Sequence, residues 1–172
     1  MTEQAVIEYL ELIATQIKGI RHTLDGKKKF GYYEDLETKI NQFPIREFCL
    51  FAYKTVIQPK VTDNGSEQYF TMLPVQFEVS KSIPNKESLT EIKQAQRDAY
   101  AILLKIWRRI LYDERKRNHI FSVGKVRFDS PFIYDDVEAG YENLCGKNLK
   151  FSLKWQIEGI DDDYDLNEDF VI

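Results

Sequence analysis

The sequence predicts a single α+β domain, in which a mainly antiparallel sheet of about four strands packs against one long central helix. Three observations predict this class. Residues 88–117 keep a helical spacing of apolar side chains, several shorter stretches alternate apolar and polar residues, and Asn64-Gly65 separates two of those stretches. An additional amphipathic helix is predicted at the N-terminal end.

The central helix is predicted from Ser88 to Arg117. Ser88 with Glu91 three residues later forms a capping-box pattern, and the cations at 115–117 suit the negative end of a helix dipole. One face is apolar and should be buried: Ile92, Ala95, Ala99, Ile102, Leu103, Ile106 and Ile110. The opposite face is basic: Lys93, Arg97, Lys105, Arg108 and Arg115.

The N-terminal helix is predicted to begin after Thr2, an acceptable N-cap, and to run to Leu24, where Asp25-Gly26 ends it. A short helix from Tyr33 to Gln42 should follow and stop before Pro44.

Two strands, Glu47 to Val61 and Tyr69 to Val79, are predicted to pair as an antiparallel hairpin. Asn64-Gly65 between them is the strongest hairpin signal in the chain, because both residues tolerate a positive φ. Pro74 cannot donate a ladder hydrogen bond, which predicts an edge position or a bulge.

After the central helix, Ile120 to Phe128 is predicted as a strand interrupted at Gly124, and residues 129–147 as a loop or extended arm. The last strand alternates most clearly, from Leu149 to Ile157. Its side chains Phe151 and Trp155 are expected to be core residues that face the central helix.

A chain of 172 residues with a net charge of -4 favours one solvated domain, here residues 1–158, and an acidic tail, residues 159–172. Seven acidic residues and no basic one follow Trp155, so the remainder carries -4 - (-7) = +3. The sequence has no stretch that resembles a membrane span or a signal peptide, so we expect the protein to stay where it is made. Cys49 and Cys145 are expected to be reduced, buried thiols.

The chain offers little chemistry that would indicate catalysis, a cofactor or a metal. His22 and His119 have no ligand partners at metal-binding spacing, and no phosphate-binding glycine loop or nucleophile motif occurs. Asp161, Asp163 and Asp165 begin like a calcium loop, but the turn glycine and the bidentate glutamate are missing. We therefore expect no catalytic residues, no cofactor and no metal site.

Two basic segments have alternative interpretations. Lys27 to Tyr33 mixes lysines with aromatic residues, as in sites that hold phosphates and stack bases, but a solvated turn whose aromatics pack back on the domain is favoured. The basic face of the central helix either contacts nucleic acid or is solvated or paired with another subunit. Asp98, Asp113 and Glu114 interrupt it, which favours the second interpretation.

The order helix, hairpin, long helix and final strands, together with the closing stretch Gly146-Lys-Asn-Leu-Lys-Phe-Ser-Leu-Lys-Trp155, resembles the head-to-tail connector and tail-terminator (tail-completion) proteins of tailed bacteriophages. The resemblance lies in topology and carries over no functional residue. It implies a structural virion protein, assembled in the host cytoplasm, that forms a homo-oligomeric ring with other neck or tail proteins around the DNA channel. It implies no catalysis, no sequence-specific nucleic-acid binding and no membrane.

The ring hypothesis predicts subunit contacts through the basic helix face, the loop at 129–147 with its acidic residues, and the acidic tail. The tail is expected to dock on the helix face of the same or a neighbouring subunit. A small nucleic-acid-binding module that uses the basic helix face is the alternative, and an enzyme built from scattered carboxylates is a third hypothesis that nothing favours. The candidate interface residues are Arg97, Arg108, Arg115, Asp135, Asp136, Glu138, Asp161, Asp163 and Phe170.

Overall fold

The computed structural model describes residues 2–32, 43–53, 58–61, 69–122, 126–129, 132–138 and 143–156. These residues form an α+β fold in which two α-helices pack on a mixed, mostly antiparallel sheet, as the sequence predicted. Within the described residues the sheet has seven strands rather than four. In chain order the elements are α1 (Glu3–Gln16), β1 (Phe30–Tyr32), β2 (Cys49–Ala52), β3 (Gln58–Val61), β4 (Tyr69–Ser82), α2 (Leu89–Lys116), a 3-10 turn (His119–Phe121), β5 (Arg127–Phe128), β6 (Ile133–Val137) and β7 (Leu144–Gln156).

The two long strands β4 and β7 form the centre of the sheet. They pair antiparallel along their whole length, from Phe70 opposite Gln156 to Ser82 opposite Leu144. The strand order is β1-β2-β4-β7-β5, with β3 also paired to β4 and β6 also paired to β7. The pair β1 and β2 is parallel, and every other pair is antiparallel.

Helix α1 begins as predicted, because the Thr2 hydroxyl accepts a hydrogen bond from the Ala5 amide. It ends at Gln16 rather than near Leu24, so the predicted length was wrong. The chain turns at Gly19, where an added Cβ would lie 2.7 Å from Cγ1 of Ile102 on α2. A side chain at Gly19 would therefore force Ile102 to shift. The next residue, Ile20, is buried in the core outside any helix.

Helix α2 has the predicted limits. The Ser88 hydroxyl accepts from the Glu91 amide, and Arg117 ends the helix with a left-handed φ of 57°. The Glu91 carboxylate accepts a hydrogen bond of 3.2 Å from the backbone amide of Asn85. In a standard capping box it would accept from the amide of the N-cap residue, Ser88. The predicted apolar face is confirmed, with Ile92 only partly buried.

The first predicted strand of the hairpin is two strands, β2 and β3, which both pair with β4. Their registers differ by one residue, because Ala52 pairs with Phe77 whereas Gln58 pairs with Met72. β4 is paired on both sides, so the edge alternative for Pro74 was wrong. The ladder of β4 with β7 runs through Pro74 without a change of register, so the bulge alternative is not borne out on that side.

The chain after α2 differs most from prediction. Residues 119–121 form a 3-10 turn, and of the expected strand at 120–128 the described residues show only β5. The expected loop contains the strand β6 and the first residues of β7, which both belong to the sheet. The acidic residues of β6 do not prevent pairing, because Asp135 and Asp136 form ion pairs with Lys150 and Lys147 of β7.

The main core lies between the sheet and the two helices. Leu149, Phe151 and Leu153 of β7 are buried there, as predicted. Trp155 packs against the same core but is only partly buried, so its assignment as a full core residue was wrong. The predicted helix at 33–42, the turn at Asn64-Gly65 and the tail at 159–172 lie outside the described residues.

Candidate functional site

The outward face of α2 carries a continuous stripe that mixes basic and apolar side chains. Its members recur every three or four residues, so they lie on one side of the helix at about 100° per residue. None of them is buried. We call this surface the α2 stripe: Lys93, Arg97, Tyr100, Leu104, Arg108, Leu111 and Arg115.

The apolar members of the α2 stripe are large for a solvent-facing helix surface. Tyr100 is 40% exposed and Leu111 is 38% exposed, while Leu104 is partly buried. The core-facing side of α2 is occupied separately by Ile102, Ile106 and the other buried residues of the helix. The α2 stripe is therefore a second apolar seam, which is typical of a helix that packs on both sides.

The basic members of the α2 stripe lack acidic partners in the described part of the chain. None of the four cations lies within 4.0 Å of a carboxylate there. Arg109, one residue beyond Arg108, behaves differently, because its Nε donates to Asp113 at 2.7 Å. Arg109, on the side of α2 that faces the core, is thus paired with a carboxylate, whereas the four cations of the α2 stripe have no carboxylate partner among the described residues.

A groove of about 290 Å³ lies beside the N-terminal half of the α2 stripe, between α2 and the strands β6 and β7. Asp136 in its wall forms an ion pair with Lys147 at 2.5 Å. The Tyr100 ring packs edge-on against Tyr134 of β6, with ring centroids 5.8 Å apart, and the Lys147 ammonium lies over the same ring. The lining is Lys93, Gln96, Arg97, Tyr100, Asp136 and Lys147.

The structure brings some of the predicted interface residues together. Arg97, Arg108 and Arg115 are all exposed on the α2 stripe, and Arg97 shares the groove with Asp136. Asp135 and Asp136 lie on β6 rather than in a loop, and both are paired with lysines of β7. Glu138 directly follows β6 and is exposed. Asp161, Asp163 and Phe170 lie outside the described residues.

The segment from Lys27 to Tyr32 is largely engaged within the fold. Lys29 is buried and pairs with Asp25 at 2.5 Å and with Glu47 at 2.7 Å, and Lys27 also pairs with Glu47. Phe30 is buried in the core as part of β1. The expectation that the aromatics of this segment pack back on the domain is confirmed for Phe30.

Sequence reasoning missed a buried polar cluster between the two helices. Asp113 was expected to interrupt the basic face, but it is fully buried and accepts from Tyr9 and Arg109. A detectable signal existed, because Asp113 falls three residues after Ile110 on the apolar period of α2. His119 adjoins the cluster, 3.3 Å from a guanidinium nitrogen of Arg109.

The remaining chemistry is limited. Cys49 and Cys145 are free and buried, as expected, and burial raises the pKa of Cys49 to about 12, so this thiol is a poor nucleophile at neutral pH. Within the described ranges, no three His, Cys, Asp or Glu side chains cluster closely enough to bind a metal ion. No described helix is both long and apolar enough to cross a membrane.

Comparison of the chain with protein-family models and with curated proteins gave no match.

Proposed function

We propose that this protein is a structural virion protein of a tailed bacteriophage whose copies form a ring at the head-tail connector or the tail terminus. It assembles in the host cytoplasm, and its partners are itself and other virion proteins of the neck or tail. The observation that carries the proposal is the α2 stripe, a long, rigid and exposed seam of mixed basic and apolar residues. The resemblance in element order supplies the viral context.

The charge of the α2 stripe favours a ring over a two-fold dimer. In a two-fold contact whose axis passes through the α2 stripe, the stripe meets itself, so Arg97, Arg108 and Arg115 would face like charges of the partner. A head-to-tail contact joins the α2 stripe to a different and acidic surface of the next copy. Contacts of that kind generate closed rings when the rotation between copies closes.

The alternative function, binding of nucleic acid through the same cations, has less support. The protein carries a net charge of -4, and Lys27 and Lys29 are engaged by carboxylates of the fold. The apolar residues Leu104, which is partly buried, and Leu111, which is exposed, lie between the cations, where a phosphate backbone offers no apolar partner.

The proposal is tested by measuring the mass of the full chain over a range of concentrations with light scattering, and by imaging the particles with electron microscopy. We expect a discrete closed oligomer. The variants Leu104→Asp and Leu111→Asp should shift it to monomer, because a carboxylate would be buried in an apolar contact. Tyr112→Asp is the matched control, since Tyr112 is 54% exposed but lies off the α2 stripe, and it should leave the oligomer intact.

Two further results decide between the functions. A monomeric wild-type chain at every concentration, together with its absence from purified phage particles, would overturn the proposal. Retention of the protein on DNA with a steep decline in rising salt would instead establish the nucleic-acid alternative.

A further inference from the structure

We infer that the α2 stripe of each copy is the docking surface for the acidic C-terminal segment, residues 159–172, of the neighbouring copy. This inference rests on the proposed function and names the two surfaces that meet in the ring. The occupant is one defined segment of the same chain, and it matches the α2 stripe in charge, in apolar residues, in length and in direction.

The two surfaces are complementary in charge. The α2 stripe presents four cations that no described carboxylate neutralises, whereas the segment after Trp155 contains seven acidic residues and no basic one. Complementary charges of this kind speed association and fix the register of a contact more than they add affinity. The charge pattern therefore selects the segment as a partner and orients it.

The apolar residues are complementary as well. Tyr100, Leu104 and Leu111 lie between the cations of the α2 stripe, and the groove beside Tyr100 is an open recess. The segment carries the triplet Phe170-Val171-Ile172, which can cover such positions. Burial of these side chains supplies affinity that salt does not screen.

The C-terminal segment is long enough to span the α2 stripe. From Lys93 to Arg115 the helix rises by about 33 Å at 1.5 Å per residue. The twelve residues from Asp161 to Ile172 span about 40 Å when extended. An extended segment therefore covers the whole α2 stripe.

The direction of β7 favours the neighbouring copy over the segment's own copy. Cys145 at the start of β7 contacts the carbonyl of Ile92, and Phe151 further along packs against Trp107. The strand therefore runs in the same direction as α2 and leads beyond the helix end that carries Arg115. A chain that continues in this direction moves away from its own α2 stripe.

The test uses the full-length chain with two sets of charge reversals. The stripe variant carries Arg97→Glu, Arg108→Glu and Arg115→Glu, and the segment variant carries Asp161→Lys, Asp163→Lys and Asp165→Lys. Each variant alone should assemble at least about tenfold more weakly than wild type at about 0.1 M salt, and the wild type should weaken towards about 1 M salt. A 1:1 mixture of the two variants should assemble again, because each altered surface then meets the opposite charge on the other chain.

The control variant carries Lys105→Glu and Lys116→Glu, exposed positions of α2 that lie off the α2 stripe, and it should assemble like wild type. Circular dichroism checks that every variant is folded. A mixture that stays monomeric would show that the segment does not bridge copies, and it would overturn the inference. If the wild type assembles and neither set of reversals weakens that assembly, the inference is wrong but the proposed function stands. If the wild type never assembles, the proposed function is wrong as well.

Discussion

The hydroxyl of Tyr9 on α1 donates a hydrogen bond of 2.9 Å to Oδ2 of Asp113, a fully buried carboxylate on α2. Arg109 Nε donates to the same oxygen at 2.7 Å, and the Asn118 side chain lies 3.4 Å from the other oxygen. Burial by itself raises the pKa of Asp113, but these donors outweigh it and hold the pKa below its usual value. The two helices are therefore joined by an ionised carboxylate.

The stability of the protein should fall in acid because of Asp113. A carboxyl group whose pKa is lower in the folded state stabilises the fold above its unfolded pKa of about 3.9 and loses that contribution as the pH falls through the folded value. We expect Asp113→Asn to flatten the decline of the urea midpoint below about pH 5. Asp98→Asn is the comparison variant on the same helix, and equal slopes in both variants would contradict the assignment.

Lys29 and Glu47 should respond unequally to substitution. Lys29 is buried whereas Glu47 is 40% exposed on its side chain, so only the lysine depends on its partner for solvation. Lys29→Met is expected to leave the denaturant midpoint unchanged or to raise it. It removes a buried charge, and the carboxylates that it leaves, Asp25 at 33% and Glu47 at 40% exposure, can be solvated by water rather than remain buried without a partner. Glu47→Gln should lower the midpoint, since the buried ammonium loses a carboxylate.

The control for this pair is Lys27→Met, which removes the exposed partner of the same carboxylate. Exposed ion pairs contribute about 0 to 1 kcal/mol, so its effect should be small. A larger loss in Lys29→Met than in Glu47→Gln would contradict the argument.

Gly146 should not tolerate a side chain. It lies inside β7 opposite Ser80 of β4, where an added Cβ would overlap the carbonyl oxygen of Val79 and lie 2.7 Å from Cα of Ser80. Because backbone atoms cannot rotate away, we expect Gly146→Ala to cost about 1 to 3 kcal/mol of unfolding free energy. Gly26→Asn is the control, since nothing lies within 4 Å of that position and asparagine tolerates its positive φ. Thermal unfolding measures both.

Phe151 should contribute more stability than Trp155, although the two share a face of β7. Phe151 is 5% exposed and contacts Trp107, Phe128 and Phe132, whereas Trp155 is only partly buried. Phe151→Ala should cost about 3 to 5 kcal/mol, and Trp155→Ala should cost less because less surface returns to water. Chemical denaturation that ranks them in the opposite order would contradict the packing described here.

The sequence by itself determined the elements that local chemistry specifies. The Ser88 cap and the three- and four-residue spacing defined α2 to within a residue of each end, and strict alternation identified Leu149 and Phe151 as core. Each of these two signals is contained in the residues of the element itself, because a helix or a strand repeats its own period along the chain. Sequence alone also singled out Arg97, Arg108 and Arg115, since their spacing places them on one helix face.

Only the tertiary structure decided the features that depend on distant partners. Gly19, just beyond the end of α1, lies so close to Ile102 that an added Cβ would be 2.7 Å from it, and the carboxylates of β6 form ion pairs with lysines of β7 within the sheet. Asp113 is buried because Tyr9, 104 positions away in the chain, supplies a donor. The physical reason is that a group can leave water only where neighbouring atoms replace its contacts with water. Those neighbours come from other elements of the fold, so the local sequence does not reveal them.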